Sequence, residues 1–102
     1  MSDTARSDQV AQEVITVRGP IDPAEMGITQ THEHLVIDAM DHYGGYGFVI
    51  DDEGMIVDEL KAFTEAGGRT ICDVTVDEIG RNPAALERIS AAAGVHVVMG
   101  AG

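Results

Sequence analysis

Two short runs of mostly apolar, β-branched residues constrain the fold of this chain more than any other feature of its sequence. They are residues 69–76, Arg-Thr-Ile-Cys-Asp-Val-Thr-Val, and residues 95–99, Val-His-Val-Val-Met. Neither run alternates cleanly between apolar and polar residues, which is typical of strands buried on both faces of a parallel sheet. Parallel strands need a long crossover connection, usually a helix. The runs therefore predict an α/β fold built from βα units.

Each run follows a segment that carries the signals of an α-helix. Asp51 or Asp52 is placed to cap the first helix, and Gly67 is placed to end it. The second helix is predicted to begin after the cap Asn82, with Pro83 at its first position, and to end at Gly94. The apolar residues that repeat at helical spacing are Ile56, Leu60, Phe63, Leu86, Ile89 and Ala93. Helices and strands are thus predicted to alternate.

The region before the first helix predicts two more strands. Residues 14–17 are β-branched at all four positions and precede Gly19-Pro20, which indicates a short leading strand and a turn. A second turn then leads into a strand over residues 28–35. Residues 1–12 are polar and predict a mobile N-terminus without function. From residue 28 the predicted order is strand, helix, strand, helix, strand.

The sequence ends at Gly102, directly after a predicted buried strand. Three parallel strands leave two open edges, whereas a closed barrel of eight βα units takes about 250 residues. We therefore expect residues 13–102 to be the N-terminal portion, about three βα units, of a (β/α)8 barrel, preceded by a short strand. We also expect poor solubility, and association through the open edges, including a homo-oligomer, is the alternative that these edges allow.

The composition excludes several classes of partner. The chain has 18 Asp and Glu against 6 Lys and Arg, a net charge of −12, whereas nucleic acids and anionic membranes need clustered basic residues. No apolar stretch reaches the roughly 18 residues of a membrane-spanning helix, and the polar N-terminus predicts no signal peptide. Cys72 is the single cysteine, so an internal disulfide is impossible. We expect a cytoplasmic protein with a small-molecule substrate and no nucleic-acid or membrane partner.

The strongest chemical signal is Thr31-His32-Glu33-His34, at the end of the strand predicted over residues 28–35. Residues two apart in a strand share a face, so His32 and His34 project together while Glu33 points away. Two adjacent imidazoles in an apolar interior are costly to bury unless a divalent metal, such as zinc, binds both. The alternative is a pair of histidines at a solvated loop end. The C-terminal end of a barrel strand is where active sites lie, which favours the metal.

Other candidates carry weaker signals. Asp73 is expected to be buried, where it either supports the metal site or, by preference, bonds to backbone or an arginine. Cys72 reads as a small buried hydrophobe, and His96 as a core or rim histidine. Residues 38–54 predict a long irregular connection that contains His42, expected to be solvated. Its aromatic residues either line a substrate entrance or anchor a flexible surface loop; they are Tyr43, Tyr46 and Phe48.

Six blocks of the sequence, in this order, carry a family resemblance: residues 15–21, 27–35, 66–71, 73–75, 79–83 and 97–102. The most specific is Thr31-His32-Glu33-His34-Leu35. Together they resemble the start of the phosphotriesterase family of the amidohydrolase superfamily. The resemblance implies a (β/α)8 barrel with a binuclear metal centre, in which His32 and His34 bind the more buried metal. The remaining ligands of the family, a carboxylated lysine, two histidines and an aspartate, have no matching positions in this sequence.

The resemblance also implies a reaction. In such proteins a metal-bridging hydroxide attacks a phosphorus or carbonyl centre, and the substrates are phosphotriesters and lactones, including acyl-homoserine lactones. A related superfamily member that cleaves an amide or ester fits the same residues. Asn82 stands where many relatives have aspartate, a change that preserves helix capping. Two histidines fill half of a zinc shell, so these 102 residues alone are expected to be inactive.

Overall fold

The chain folds into a small parallel sheet covered on one side by two helices. The computed structural model describes residues 12–38 and 49–100. Residues 1–11, most of the predicted mobile N-terminus, lie outside the described residues, as do His42, Tyr43, Tyr46 and Phe48. The elements, in chain order, are β1 (Val14–Thr16), β2 (Gly19–Ile21), a 3-10 turn (Pro23–Glu25), β3 (Ile28–Glu33), β4 (Ile37–Asp38), β5 (Val49–Ile50), α1 (Glu53–Glu65), β6 (Gly68–Asp73), a second 3-10 turn (Asp77–Ile79), α2 (Pro83–Ala93) and β7 (His96–Met99).

The central sheet contains three parallel strands in the order β3, β6, β7. This arrangement confirms the prediction of βα units with a parallel sheet. The middle strand β6 ends at Asp73, three residues earlier than predicted. The reason is local, because the Thr75 N–H donates to the Asp73 carboxylate at 2.9 Å rather than to a neighbouring strand. Strand β3 likewise ends at Glu33, before the predicted residue 35.

Both helices begin and end where their capping residues predict. Asp52 accepts a hydrogen bond from Met55 N at the start of α1, and Asn82 accepts one from Ala85 N at the start of α2. Gly94 ends α2 with a φ of +69°, a left-handed conformation that favours glycine. The predicted apolar faces pack against the sheet. The buried core contains Leu35, Val36, Ile56, Leu60, Ile71, Ala85, Leu86, Ile89, Ala93, Val95 and Val97.

Two predicted connections differ from the structure. Gly19-Pro20 does not form the turn but belongs to β2, which pairs with β1 in an antiparallel hairpin. The turn is formed by Val17 and Arg18, two residues earlier, because the Thr16 hydroxyl donates to the Gly19 carbonyl and accepts from Arg18 N. The connection over residues 38–54 is not irregular throughout. Its two ends pair as the antiparallel strands β4 and β5.

The buried carboxylate of Asp73 connects the C-terminal ends of the strands. Its Oδ2 accepts from Leu35 N at 2.8 Å, and its Oδ1 accepts from Thr75 N. The backbone carbonyl of Asp73 also accepts from Gly100 N, just beyond β7, at 2.7 Å. Asp73 therefore links the segments that follow β3, β6 and β7. The preferred interpretation of Asp73 as a residue bonded to backbone is confirmed.

Membrane insertion through a helix finds no support in the described residues. Neither α1 nor α2 combines the length and the apolar character that a bilayer crossing requires.

An ion pair on the outer surface joins the two helices, since Arg88 donates two hydrogen bonds to Glu53 at 3.0 and 2.8 Å. These hydrogen bonds lower the pKa of the exposed Glu53 carboxyl below its ordinary value.

Replacing Ile89 with alanine tests the assignment of the core. Ile89 is 0% exposed, so we expect the free energy of unfolding to fall by about 2–5 kcal/mol. Ile15→Ala is the matched control, because it removes the same atoms from a side chain that is 66% exposed, and we expect a change of about 0.5 kcal/mol or less. Urea denaturation followed by circular dichroism measures both. Equal losses in the two variants would contradict this core.

Removal of the Asp73 carboxylate tests its role at the strand ends. Asp73→Ala deprives two buried backbone N–H groups of a charged acceptor, and we expect a loss of at least about 3 kcal/mol in the free energy of unfolding. Asp73→Asn keeps one acceptor oxygen and is expected to lose less. Asp58→Ala, on the exposed face of α1, serves as the control. The role is wrong if the alanine variants at positions 73 and 58 are equally stable.

Candidate metal centre

The structure brings the two histidines of the Thr-His-Glu-His block together. His32 lies in β3 and His34 directly follows that strand, at its C-terminal end. Their ring centroids are 5.5 Å apart and the ring planes are inclined by 75°, an edge-to-face arrangement. His32 is exposed and His34 is half-buried. The pair thus stands at the end of the sheet where the strands of a βα fold present their functional residues.

A β-bulge in β3 places these residues. Gln30 pairs with Ile71 and Glu33 pairs with Asp73, so three steps along β3 match two steps along β6. Gln30 and Glu33 would face opposite sides of a regular strand, yet both line a cavity of about 350 Å³ against α1. After the bulge, each residue of β3 therefore points to the opposite side of the sheet from the side it would face in a regular strand. Glu33 turns toward α1, while His34 borders the same cavity.

A hydroxyl group from the neighbouring strand contacts one ring. The Thr75 Oγ1 lies 3.0 Å from the Nδ1 of His34. Thr75 is buried, and its backbone N–H is held by Asp73. The sequence interpretation missed Thr75. Its signal was available, because residues that follow adjacent parallel strands meet at one edge of the sheet, and Thr75 follows β6 as His34 follows β3.

The donor geometry fits two ligands of a zinc ion. Two imidazoles that bind one tetrahedral zinc through Nε2, at Zn–N distances of about 2.0–2.1 Å, have ring centroids about 5 Å apart. The observed separation of 5.5 Å is close to this value. Within residues 12–38 and 49–100, no group of three or more His, Cys, Asp or Glu side chains is arranged to hold a metal ion. The two histidines therefore fit as two members of a larger set of metal ligands.

The remaining candidates lie apart from the pair or have structural roles. His96 begins β7 and pairs with Thr70, near the N-terminal end of the sheet, which agrees with a rim histidine. Cys72 is a free thiol that is half-buried, less buried than the small buried hydrophobe that was predicted. Asp52, one of the two residues predicted to cap the first helix, caps α1. These side chains do not extend the candidate site.

Comparison with known proteins identifies the family. The sequence model of the Phosphotriesterase family matches residues 12–102. A phosphotriesterase homology protein of Mycobacterium tuberculosis is 36% identical over 97 residues, which cover 88% of this chain and 29% of the relative. An N-acetyltaurine hydrolase of Danio rerio is 30% identical over 119 residues, which cover 87% of this chain and 34% of the relative. The chain thus spans about a third of the length of these curated relatives.

A solved structure gives the same result for the fold. The lactonase from Listeria monocytogenes superimposes with a TM-score of 0.77 at 28% sequence identity, covering 86% of this chain and 27% of that chain. The three parallel strands and two helices therefore correspond to the N-terminal βα units of a (β/α)8 barrel. On the match across residues 12–102, the chain belongs to the phosphotriesterase family.

Proposed function

We propose that the barrel built on these βα units is a zinc-dependent hydrolase of phosphotriesters or lactones. In this proposal His32 and His34 hold the more buried ion of a binuclear centre. The observation that carries it is the imidazole pair, with ring centroids 5.5 Å apart, at the C-terminal end of the first barrel strand. Barrel enzymes assemble their active sites at this end of the strands. The hydrolases among the relatives support the reaction class.

The chemistry that two bound divalent ions supply is a nucleophile made from water at neutral pH and a polarised phosphoryl or carbonyl bond. In this proposal the residues of this chain bind one metal ion and orient its ligands. His32 and His34 provide imidazole nitrogens on rings whose centroids are 5.5 Å apart. Asp73 fixes the backbone that follows His34 through Leu35 N. Two imidazoles fill half of a four-coordinate shell, so hydrolysis in this proposal needs ligands from further βα units.

Amide hydrolysis is the second candidate for the same site. The observation that favours it is the similarity to the Danio rerio relative, an N-acetyltaurine hydrolase. An amide and a lactone both present a carbonyl group, which a metal centre polarises in the same way.

The alternative to an enzyme is a catalytically inactive chain that persists by associating with a partner. Ile28 is exposed, and β3 has no strand partner on its second side among the described residues, which supports such an association.

The charge and the cysteine content of the chain suggest a small-molecule substrate and a cytoplasmic location. The net charge of −12 disfavours nucleic acid and anionic membrane surfaces as partners. The single Cys72 is free, which suits a reducing compartment and supports a cytoplasmic location. A homo-oligomer is compatible with the open edge of β3.

Zinc titration of the full chain tests the ligand assignment. We expect His32→Ala and His34→Ala each to lower the zinc affinity by more than about tenfold, since a lost ligand costs at least as much as a lost supporting contact. His96→Ala is the matched control, because His96 lies near the other end of the sheet, and its affinity should equal that of the wild type. Calorimetry measures all four proteins. Unchanged affinity in both His32→Ala and His34→Ala would reject the assignment.

Hydrolysis is best tested in a closed barrel. Residues 12–100 replace the matching segment of the Listeria monocytogenes lactonase, and a lactone, a phosphotriester and an N-acyl amide are offered as substrates. We expect the zinc-loaded hybrid to hydrolyse the lactone or the phosphotriester, and expect the His32→Ala hybrid to lose this activity. The unaltered lactonase controls for the assay. Faster turnover of the amide supports the second candidate, and activity that survives removal of both histidines contradicts both.

A further inference from the structure

The contact between His34 and Thr75 joins the candidate metal centre to the second barrel strand. The Nδ1 of His34 and the Oγ1 of Thr75 are 3.0 Å apart, although the residues are 41 positions apart in the sequence. Thr75 is 1% exposed, so its hydroxyl is shielded from competing water. A polar group buried to this extent needs a partner, and His34 provides one. The contact is therefore a feature of the packed interior.

One carboxylate fixes both sides of this contact. Asp73 accepts from Leu35 N, the residue after His34, and from the backbone N–H of Thr75 itself. The backbone positions that carry the imidazole and the hydroxyl are consequently tied to the same two oxygen atoms. A hydroxyl held in this way meets the ring in a fixed direction. The ring of His34 is thus oriented by residues that need not touch a metal.

The contact also bears on which nitrogen carries the proton. A neutral imidazole has one N–H and one lone pair, and a metal ligand must keep its lone pair for the metal. If Nδ1 of His34 is protonated and donates to Thr75, the Nε2 lone pair is available. If Nε2 is protonated instead, the nitrogen away from Thr75 is blocked. Ligating histidines usually donate their second ring N–H to a fixed acceptor.

Building on the proposed function, we propose that Thr75 is a positioning residue for the metal centre. Its hydroxyl accepts a hydrogen bond from Nδ1–H of His34 and so holds the imidazole in the tautomer that presents Nε2 as a ligand. Asp73 fixes Thr75 and Leu35 and keeps the hydroxyl in register with the ring. His32, whose ring contacts that of His34 edge to face, shares the orientation that results.

The experiment compares Thr75→Val, which removes the hydroxyl at nearly constant volume, with Thr75→Ser, which keeps it. Nitrogen-15 NMR of the metal-free full chain, at about pH 8 where histidines are neutral, reports the tautomer of His34. We expect the Nδ1–H form in the wild type and in Thr75→Ser, and a shift toward the Nε2–H form in Thr75→Val. Circular dichroism confirms that each variant is folded. Thr75→Ala is the second hydroxyl-free variant in case valine strains the site.

Zinc titration supplies the second readout. Loss of a contact that orients a ligand costs about 10–100-fold in metal affinity, which we expect for Thr75→Val, whereas Thr75→Ser should stay within about threefold of the wild type. An unchanged tautomer, or unchanged zinc affinity, in both Thr75→Val and Thr75→Ala overturns the inference. Failure of the proposed function gives a different result. In that case the wild type itself takes up no zinc, while the tautomer shift still reports the hydrogen bond.

Discussion

The buried carboxylate of Asp73 is the interaction on which the functional end of this fold depends. An isolated buried carboxylate is costly, yet here each oxygen accepts a backbone N–H, one from Leu35 and one from Thr75. The same residue accepts from Gly100 N through its carbonyl group. The segments that follow β3, β6 and β7 are therefore held together at the C-terminal end of the sheet. This anchoring also positions His34, because His34 immediately precedes Leu35.

The bulge in β3 provides the second constraint. A regular strand alternates its side chains, so Gln30 would share the face of His32 and His34. One additional residue between the pairs formed with Ile71 and Asp73 breaks this alternation. Gln30 and Glu33 then both face the cavity against α1. The irregularity is coupled to the site, since His32 lies within it, between Gln30 and Glu33, and the pairing that follows it ends at Asp73.

The sequence predicted the elements whose signals are local. The caps Asp52 and Asn82 and the αL residue Gly94 determine helix ends within a few residues, and the structure agrees with each. The turn prediction failed at Gly19-Pro20, because the Thr16 hydroxyl bonds to Arg18 N and to the Gly19 carbonyl and closes the turn earlier. Parallel pairing indicates only that the segment after β6 lies near His34; the individual contact with Thr75, 41 positions away in the sequence, was missed. Such a contact follows from the register of two strands, which composition and periodicity do not specify.

The distribution of these residues suggests how the proposed metal centre is assembled. The first βα unit carries the two imidazoles, and the strand of the second carries the carboxylate and hydroxyl that orient them. Parallel strands bring their C-terminal ends together, so a ligand and its support can come from different units without being near in sequence. Placement of this first ligand pair then depends on the pairing of β3 with β6. The identity of the substrate depends on other segments, because barrel specificity resides in the loops that follow the strands.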